Sequence, residues 1–193
     1  SEMLLNGATH AAFEASSHGL DQGRLSGISI DYAVLTSFSQ DHLDYHKTIE
    51  EYGNAKRILF KELQPKHSFI QIDSEFGLNL YKDLLENKAE VFSVSLDKES
   101  DFSASFNKTD NSLDVSLKSP YGEIEFNLRT VSRYIASNVI CSIAALSVEG
   151  VKLGKLAECA SEISFPVGRL ESIRAGKDIC YVDYAHTPEA LKH

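Results

Sequence analysis

The chain has 193 residues, which is long enough for one large domain or for one domain with part of another. Its 19 Lys and Arg residues against 28 Asp and Glu residues give a formal net charge of −9, which argues against a nucleic-acid partner held by general electrostatics. No apolar run approaches the roughly 18 residues that would cross a bilayer, and the first residues show no basic segment followed by an apolar one. We therefore expect a cytoplasmic protein without a membrane or nucleic-acid partner.

Apolar runs alternate with amphipathic stretches through the first half of the chain. The runs typical of buried strands lie at 9–15, 31–38, 67–73 and 89–96. The stretches typical of helices lie at 48–63 and 74–87. Thr48 with Glu51 forms a capping-box pattern and Ser74 is a second N-cap candidate. This alternation predicts an α/β fold, with a mostly parallel sheet flanked by helices.

The pattern changes to alternating polar and apolar residues over about 101–129, which predicts a small antiparallel meander. Two helices are expected next, at 133–150 and 152–163, and two strands and a helix start after that. The stretch "FPVG" at 165–168 is the best candidate for a boundary, giving domains of 1–166 and 167–193.

The three cysteines, Cys141, Cys159 and Cys180, form no C-x-x-C pair, so neither a zinc site nor a disulfide framework is predicted. Each lies among apolar residues, and we expect three buried, reduced thiols.

Three polar clusters follow predicted strands directly. They are Glu14 with Ser16, Ser17 and His18; the stretch "SQDHLDYH" at 39–46; and the stretch "VDYAHTP" at 182–188. Because ligands bind at the carboxyl ends of strands in open α/β sheets, this recurrence predicts one shared site.

Carboxylate oxygens and an imidazole at strand ends suit Mg²⁺, which takes few protein ligands and completes its shell with water and phosphate. The sequence contains no phosphate-binding loop of the G-x-x-x-x-G-K-[ST] type. The residues alone therefore predict a metal-assisted site on an α/β sheet. A metal-dependent hydrolase using Glu14, Asp41, His42 and His46 is one alternative.

The motifs "EASSHGLDQGR" (14–24), "DHLDYHKTIEEYGNAKRILF" (41–60) and "VDYAHTPEAL" (182–191) together resemble the Mur ligase family. They are most similar to the members that add the third amino acid to a UDP-N-acetylmuramoyl-dipeptide. The resemblance implies an ATP-dependent amide ligase acting through an acyl phosphate, with 1–166 as the central ATP-binding domain and 167–193 as the beginning of the C-terminal ligase domain. The implied substrates are a UDP-MurNAc-dipeptide, ATP and a diamino acid, for which we prefer meso-diaminopimelate to lysine. The enzyme is expected to be a monomer.

The resemblance also implies site residues. Two Mg²⁺ ions would be held by Glu14, His42 and Lys56, of which Lys56 would be carried as a carbamate and would act in catalysis with His42. Substrate would be bound by Ser16, Gln22 and Arg24. The nucleotide would be bound by Asn138, Arg169 and Asp183.

The sequence departs from the family pattern in several places, among them Ser132 where the family has a glycine and the altered turn "FPVGR" at 165–169. The phosphate-binding loop would lie upstream of Ser1, so the chain alone is expected to be inactive. Ile135 stands where the family has an asparagine before the apolar helix. Three alternatives stay open: another Mur-like ligase of the folylpolyglutamate or cyanophycin synthetase type, a non-catalytic relative, and the hydrolase above.

Overall fold

A computed structural model describes residues 2–40, 43–169, 171–176 and 178–185. Within these ranges the helices are α1 (Glu2–Leu5), α2 (Ser17–Asp21), α3 (Leu43–His46), α4 (Ile49–Lys61), α5 (Glu75–Glu86), α6 (Arg133–Val148) and α7 (Leu153–Glu162). The strands are β1 (Tyr32–Leu35), β2 (His67–Gln71), β3 (Val91–Ser95), β4 (Phe102–Lys108), β5 (Leu113–Ser119), β6 (Gly122–Leu128), β7 (Glu171–Ala175) and β8 (Asp178–Val182). In this part of the chain no helix is long and apolar enough to cross a membrane.

The strands β1 to β6 form one sheet in sequence order. The pairs β1–β2, β2–β3 and β3–β4 are parallel, whereas β4–β5 and β5–β6 are antiparallel. Because β1, β2 and β3 run in the same direction, their carboxyl ends share one edge of the sheet. The predicted α/β fold, with a parallel section and an antiparallel meander, is confirmed.

Helices cover both faces of the parallel section. Neighbouring residues of a strand point to opposite faces, and because both are apolar in these strands, each face needs helices to bury it. Phe69 and Ile70 are both fully buried, but in different clusters. Phe69 packs in a cluster with residues of α6 and α7. Ile70 packs in a cluster with residues of α2, α4 and α5. Each face of the sheet therefore has its own apolar core.

Side-chain caps explain where three of the helices begin. Thr48 Oγ1 accepts a hydrogen bond from the Glu51 amide at 3.1 Å, and Ser74 Oγ accepts one from the Gly77 amide at 3.1 Å. Ser132 Oγ accepts one from the Ile135 amide at 3.4 Å. These bonds satisfy amides that have no partner within the helix. The predicted caps at Thr48 and Ser74 are confirmed.

A carboxylate closes the short connection between the parallel section and the meander. Asp101 Oδ2 accepts hydrogen bonds from the Ser93 amide at 2.7 Å and the Ser93 hydroxyl at 2.6 Å, and the Asp101 amide donates to Ser93 Oγ at 3.0 Å. The strands β3 and β4 share only the register pairs Val94 with Phe102 and Ser95 with Ser103. Asp101 therefore reinforces a junction that has few backbone partners.

The strand predicted at 9–15 is wrong. These residues have no regular secondary structure and are mostly exposed, and the Phe13 side chain is 56% exposed. A strand requires a neighbour that pairs with its amides and carbonyls, and the described residues provide none for this segment. Glu14 therefore lies in an extended loop and not at the end of a buried strand.

The hairpin β7–β8 forms a second, separate sheet, in which Glu171 is in register with Val182. It accounts for the two strands predicted after "FPVG". The helix start predicted after them lies beyond 185, outside the described residues. The domain boundary at 166–167 stays a prediction.

The expectation of three buried thiols is wrong for two of them. Cys141 is buried, whereas Cys159 and Cys180 are exposed. Burial raises the pKa of the Cys141 thiol to about 12, because the charged thiolate loses its hydration inside the core. Apolar neighbours in the sequence therefore indicated burial wrongly for Cys159 on α7 and Cys180 on β8.

We expect Gly77→Ala to lower the free energy of unfolding by about 1–3 kcal/mol, the usual cost of overpacking. A Cβ at Gly77 would lie 2.0 Å from the backbone oxygen of Gln71, so helix and strand would have to separate. Urea unfolding followed by circular dichroism measures the change.

The matched control is Gly154→Ala, because a Cβ at Gly154 meets nothing within 4 Å. It should be neutral or raise stability by up to about 1 kcal/mol, since alanine is the better helix former. Equal stability of the two variants would contradict the close approach of α5 to β2.

Candidate functional site

A cavity of about 970 Å³ opens beyond the carboxyl end of β1. Residues that follow β1, among them Thr36, Ser37 and Ser39, form part of its wall. One side of α6 from Tyr134 to Leu146, the helix α7, the segment 163–169 and the residues after β8 supply the rest. Hydroxyl, amide and charged groups thus share this cavity with an apolar wall.

Four of the residues predicted for the site lie together in the lining of this cavity: Glu14, Asn138, Arg169 and Asp183. They are far apart in the sequence, and they come from the loop before α2, from α6 and from the segments before and after the β7–β8 hairpin. Their chemical roles stay predictions. They share a cavity that opens at the carboxyl end of β1, but Glu14 lies in a loop and Asp183 follows the separate β7–β8 hairpin.

The face of α6 in the cavity combines Asn138 with Ile135, which lies one helical turn earlier. The Asn138 backbone carbonyl accepts a hydrogen bond from Ser142 Oγ at 2.9 Å. The Asn138 side chain offers both a donor and an acceptor, which suits the edge of a nucleobase. Ile135 offers apolar surface at the position where the family pattern has a second amide.

Two interactions organise the residues at the far wall. The Arg169 guanidinium lies 5.0 Å from the centroid of the Tyr184 ring, within the range of a cation–π interaction. Asp183 Oδ1 accepts a hydrogen bond from the Ala185 amide at 2.7 Å. The Arg169 cation therefore contacts the ring that follows Asp183 in the sequence, and both Arg169 and Asp183 line this wall of the cavity.

The residues predicted to bind substrate form a compact turn around α2. Ser16 Oγ caps α2 by accepting from the Gly19 amide at 3.1 Å. A Cβ built on Gly19 would lie 3.1 Å from Ser16 Oγ and 3.8 Å from Arg24 Cδ, so these two side chains flank the same glycine. Arg24 Nη2 donates to Gln22 Oε1 at 2.6 Å. Ser16, Gln22 and Arg24 are thus neighbours.

Lys56 lies on α4, on the sheet face that carries α2, and it is half-buried. Its Nζ is 5.7 Å from the centroid of the Tyr52 ring. Lys56 is not among the described residues that line the cavity. Its predicted modification as a carbamate stays a prediction.

Aromatic rings join Lys56 to the α2 turn. The Tyr52 ring lies 5.5 Å from the His46 ring, His46 lies 5.5 Å from His18, and His18 lies 4.2 Å from Tyr45, all between centroids. His46 is 4% exposed, and its Nε2 has no hydrogen-bond partner among the described residues. Tyr45 was not predicted as a site residue, although its place in "DHLDYH" beside predicted ligands was a signal.

The predicted Mg²⁺ ligands Glu14, His42 and Lys56 are described only in part, because His42 lies outside the described residues, as does Asp41 of the hydrolase alternative. Elsewhere no group of three or more His, Cys, Asp and Glu side chains could hold a metal ion. Glu14 nevertheless lines the same cavity as Thr36 and Ser37. Carboxylate and hydroxyl oxygens fit a Mg²⁺ ion that keeps most of its ligands as water and phosphate.

Comparison with known proteins assigns the chain to a family. Residues 1–146 match the family described as the Mur ligase middle domain. The chain is 37% identical over 190 residues to a UDP-N-acetylmuramoyl-L-alanyl-D-glutamate–2,6-diaminopimelate ligase of Neisseria meningitidis serogroup B, covering 96% of this chain and 39% of that protein.

Two solved structures have the same fold. A structure of a UDP-N-acetylmuramoyl-L-alanyl-D-glutamate–2,6-diaminopimelate ligase is 32% identical with a TM-score of 0.82, over 97% of this chain and 39% of that one. A folylpolyglutamate synthase from Thermotoga maritima is 15% identical with a TM-score of 0.59, over 83% and 36%, which shows likeness of fold alone. The chain thus spans about two fifths of the length of the curated relatives it matches.

We expect His46→Phe to leave the free energy of unfolding unchanged or to raise it by about 1 kcal/mol. Phenylalanine keeps an aromatic ring in the cluster and removes a buried polar atom that has no partner, which relieves a desolvation penalty. Thermal or urea unfolding measures the effect.

His46→Ala is the comparison variant. It should lower the free energy of unfolding by about 3 kcal/mol, because it removes the ring and leaves a cavity between Tyr45 and Tyr52. A loss of the same size in His46→Phe would show that the imidazole nitrogens contribute bonds that the ring packing alone does not replace.

Proposed function

The chain belongs to the Mur ligase family through its middle domain, and from that premise we propose that the full-length gene product is an ATP-dependent amide ligase of peptidoglycan precursor synthesis. It would join the amino group of meso-diaminopimelate to the glutamate carboxylate of UDP-MurNAc-L-Ala-D-Glu. The relatives that carry this activity in their names are more than 30% identical over nearly the whole chain, which supports the proposal.

The observation that carries the proposal is the shared cavity of Glu14, Asn138, Arg169 and Asp183. A nucleotide needs polar partners for its base, its ribose and its phosphates. The Asn138 amide suits the base, the Asp183 carboxylate suits ribose hydroxyls, and the Arg169 guanidinium suits phosphate oxygens. One cavity at the strand ends offers all three.

An amine does not displace oxygen from a carboxylate directly, because that oxygen is a poor leaving group, whereas phosphate is a good one. Transfer of the terminal phosphoryl group of ATP to the substrate carboxylate gives an acyl phosphate, and attack by the amine then forms the amide and releases phosphate. Two anions must approach each other in the first step. Arg24 and Ser16 in the α2 turn would bind and orient the dipeptide end of the substrate, since a guanidinium pairs with carboxylate oxygens in a fixed geometry.

Two Mg²⁺ ions, held by Glu14, His42 and the carbamate of Lys56, would neutralise charge between the phosphates and the carboxylate. Carbamylation converts the Lys56 ammonium into an anion with oxygen ligands. Glu14 lies at the cavity, and Lys56 lies on the opposite sheet face beside α2, so substrate and nucleotide would meet at the edge between them.

A ligase of the folylpolyglutamate synthase type is supported less well. That likeness is one of fold, at 15% identity, and fold does not select a substrate. Identity of 37% to a diaminopimelate ligase extends along 96% of the chain.

The ligation test uses the full-length gene product with ATP, UDP-MurNAc-L-Ala-D-Glu and meso-diaminopimelate, and it detects the UDP-linked tripeptide by chromatography and mass spectrometry. We expect the wild type to form it and Glu14→Gln to lower kcat by roughly 10²-fold, because a charged ligand becomes a neutral amide.

Glu86→Gln is the matched control, since Glu86 is exposed at the end of α5 and distant in sequence from every site residue; it should behave as the wild type. A wild-type protein that consumes ATP only with lysine, or only with a folate and glutamate, would contradict the proposed substrate.

The cavity itself can be tested by thiol labelling at pH 8. We expect Mg²⁺ with a non-hydrolysable ATP analogue to slow labelling of Cys159, which lines the cavity, and to leave Cys180 unchanged. Cys141 should stay unlabelled in the native protein, because its pKa of about 12 and its burial keep the thiolate rare. Peptide mapping after labelling gives the three rates separately, and unchanged labelling of Cys159 at saturating nucleotide would place the nucleotide elsewhere.

A further inference from the structure

Four side chains form a continuous row of hydrogen bonds from the α2 turn to α3. Arg24 Nη2 donates to Gln22 Oε1 at 2.6 Å, and Gln22 Nε2 donates to the Tyr45 hydroxyl at 3.3 Å. The Tyr45 hydroxyl donates in turn to Asp21 Oδ2 at 2.8 Å. We call these residues, Arg24, Gln22, Tyr45 and Asp21, the α2–α3 relay.

All donors in the relay point the same way, from the Arg24 cation to the Asp21 carboxylate. Hydrogen bonds aligned between opposite charges polarise one another, so the arrangement favours one orientation of the Gln22 amide. Without the Tyr45 hydroxyl, the nitrogen of that amide loses its acceptor. The Gln22 amide is then oriented only by the hydrogen bond that its Oε1 accepts from Arg24.

Tyr45 is the member of the relay that comes from a different element. Its ring is fixed on two sides, by His18 at 4.2 Å and by His46 at 4.8 Å in an edge-on contact. Because His46 is buried, the ring stands on the core and its hydroxyl reaches the surface, where the Tyr45 side chain is 37% exposed. The ring contacts therefore fix the position of the Tyr45 hydroxyl, which bonds to Gln22 and Asp21 in the exposed turn.

We propose that Tyr45 is a positioning residue for the substrate: its hydroxyl holds Gln22 and Arg24 in the orientation that receives the anionic dipeptide end. The inference rests on the proposed function for the identity of that anion. The guanidinium has five N–H donors, and the relay uses one of them. The other donors can bind a carboxylate, while the bond to Gln22 restrains the orientation of the guanidinium.

The test compares Tyr45→Phe with the wild type in the full-length gene product. Phenylalanine keeps the ring contacts and removes only the hydroxyl. We expect KM for UDP-MurNAc-L-Ala-D-Glu to rise roughly 5- to 20-fold, the equivalent of one lost hydrogen bond to an ordered polar group, with kcat and KM for ATP within about twofold of the wild type.

A double-mutant cycle shows whether the effect passes through Gln22. If it does, Tyr45→Phe should add little to KM in the Gln22→Ala background. Tyr121→Phe in the β5–β6 turn is the matched control and should change neither constant. Equal KM values for Tyr45→Phe and the wild type, or additive effects with Gln22→Ala, would overturn the inference.

Hydrogen exchange separates this inference from the proposed function. The Gln22 and Arg24 amides donate to His18 O at 3.0 Å and Gly19 O at 2.8 Å, and Tyr45→Phe should speed their exchange severalfold even without substrate. If the wild type does not ligate, the proposed function fails, and unchanged exchange at these amides then overturns the positioning role as well. Faster exchange there supports it independently of the substrate's identity.

Discussion

The packing of α6 across the sheet is the interaction on which the cavity depends. Ala136, Ile140 and Ala144 are fully buried against a face that includes Phe69 and Phe102. Alanine at two of these positions lets the helix axis lie close to the strands, and burial of a side chain such as Ile140 contributes about 1.5–3 kcal/mol. The opposite side of the same helix carries Ile135 and Asn138 to the cavity, so its wall is placed by the core.

The two sheet faces divide the proposed chemistry between them. On one face α6 and α7 line the cavity, whereas on the other the α2 turn and α3 carry the relay and α4 carries Lys56. Glu14 and Ser16 are two positions apart in the sequence, and they connect the cavity with the cap of α2. A short exposed segment at the sheet edge therefore links both halves, which explains why so many polar side chains occur between residues 14 and 24.

Local patterns in the sequence were sufficient for most of the fold. The caps at Thr48 and Ser74 and the alternation in β4 to β6 depend on neighbours in the sequence, and each was predicted correctly. The segment 9–15 has the pattern of a strand, but a strand also depends on a partner that no local pattern shows. The prediction that Cys159 is buried was wrong for the same reason, because burial depends on what packs against α7.

The site was predicted only in part from strand ends. Glu14 and Asp183 line the same cavity, but Glu14 lies in a loop where a strand was expected, and Asp183 follows the separate β7–β8 hairpin. The position of the Arg169 guanidinium over the Tyr184 ring depends on side-chain geometry that no motif contains. Tyr45 was missed because its neighbours in "DHLDYH" have more familiar metal-binding chemistry. Its partners Gln22 and Asp21 come from a turn far away in the sequence.

The narrow junction between β3 and β4 has a consequence for how the sheet assembles. Register pairs of the meander, such as Lys108 with Leu113, close short loops, whereas Tyr32 with His67 closes a loop that contains the helices α3 and α4. Loop-closure entropy therefore favours early formation of the meander and opposes the parallel section until its helices dock. The sheet is continuous in its hydrogen bonds, yet its two sections have different kinetic barriers, and the Ser93–Asp101 contact is where the faster section meets the slower one.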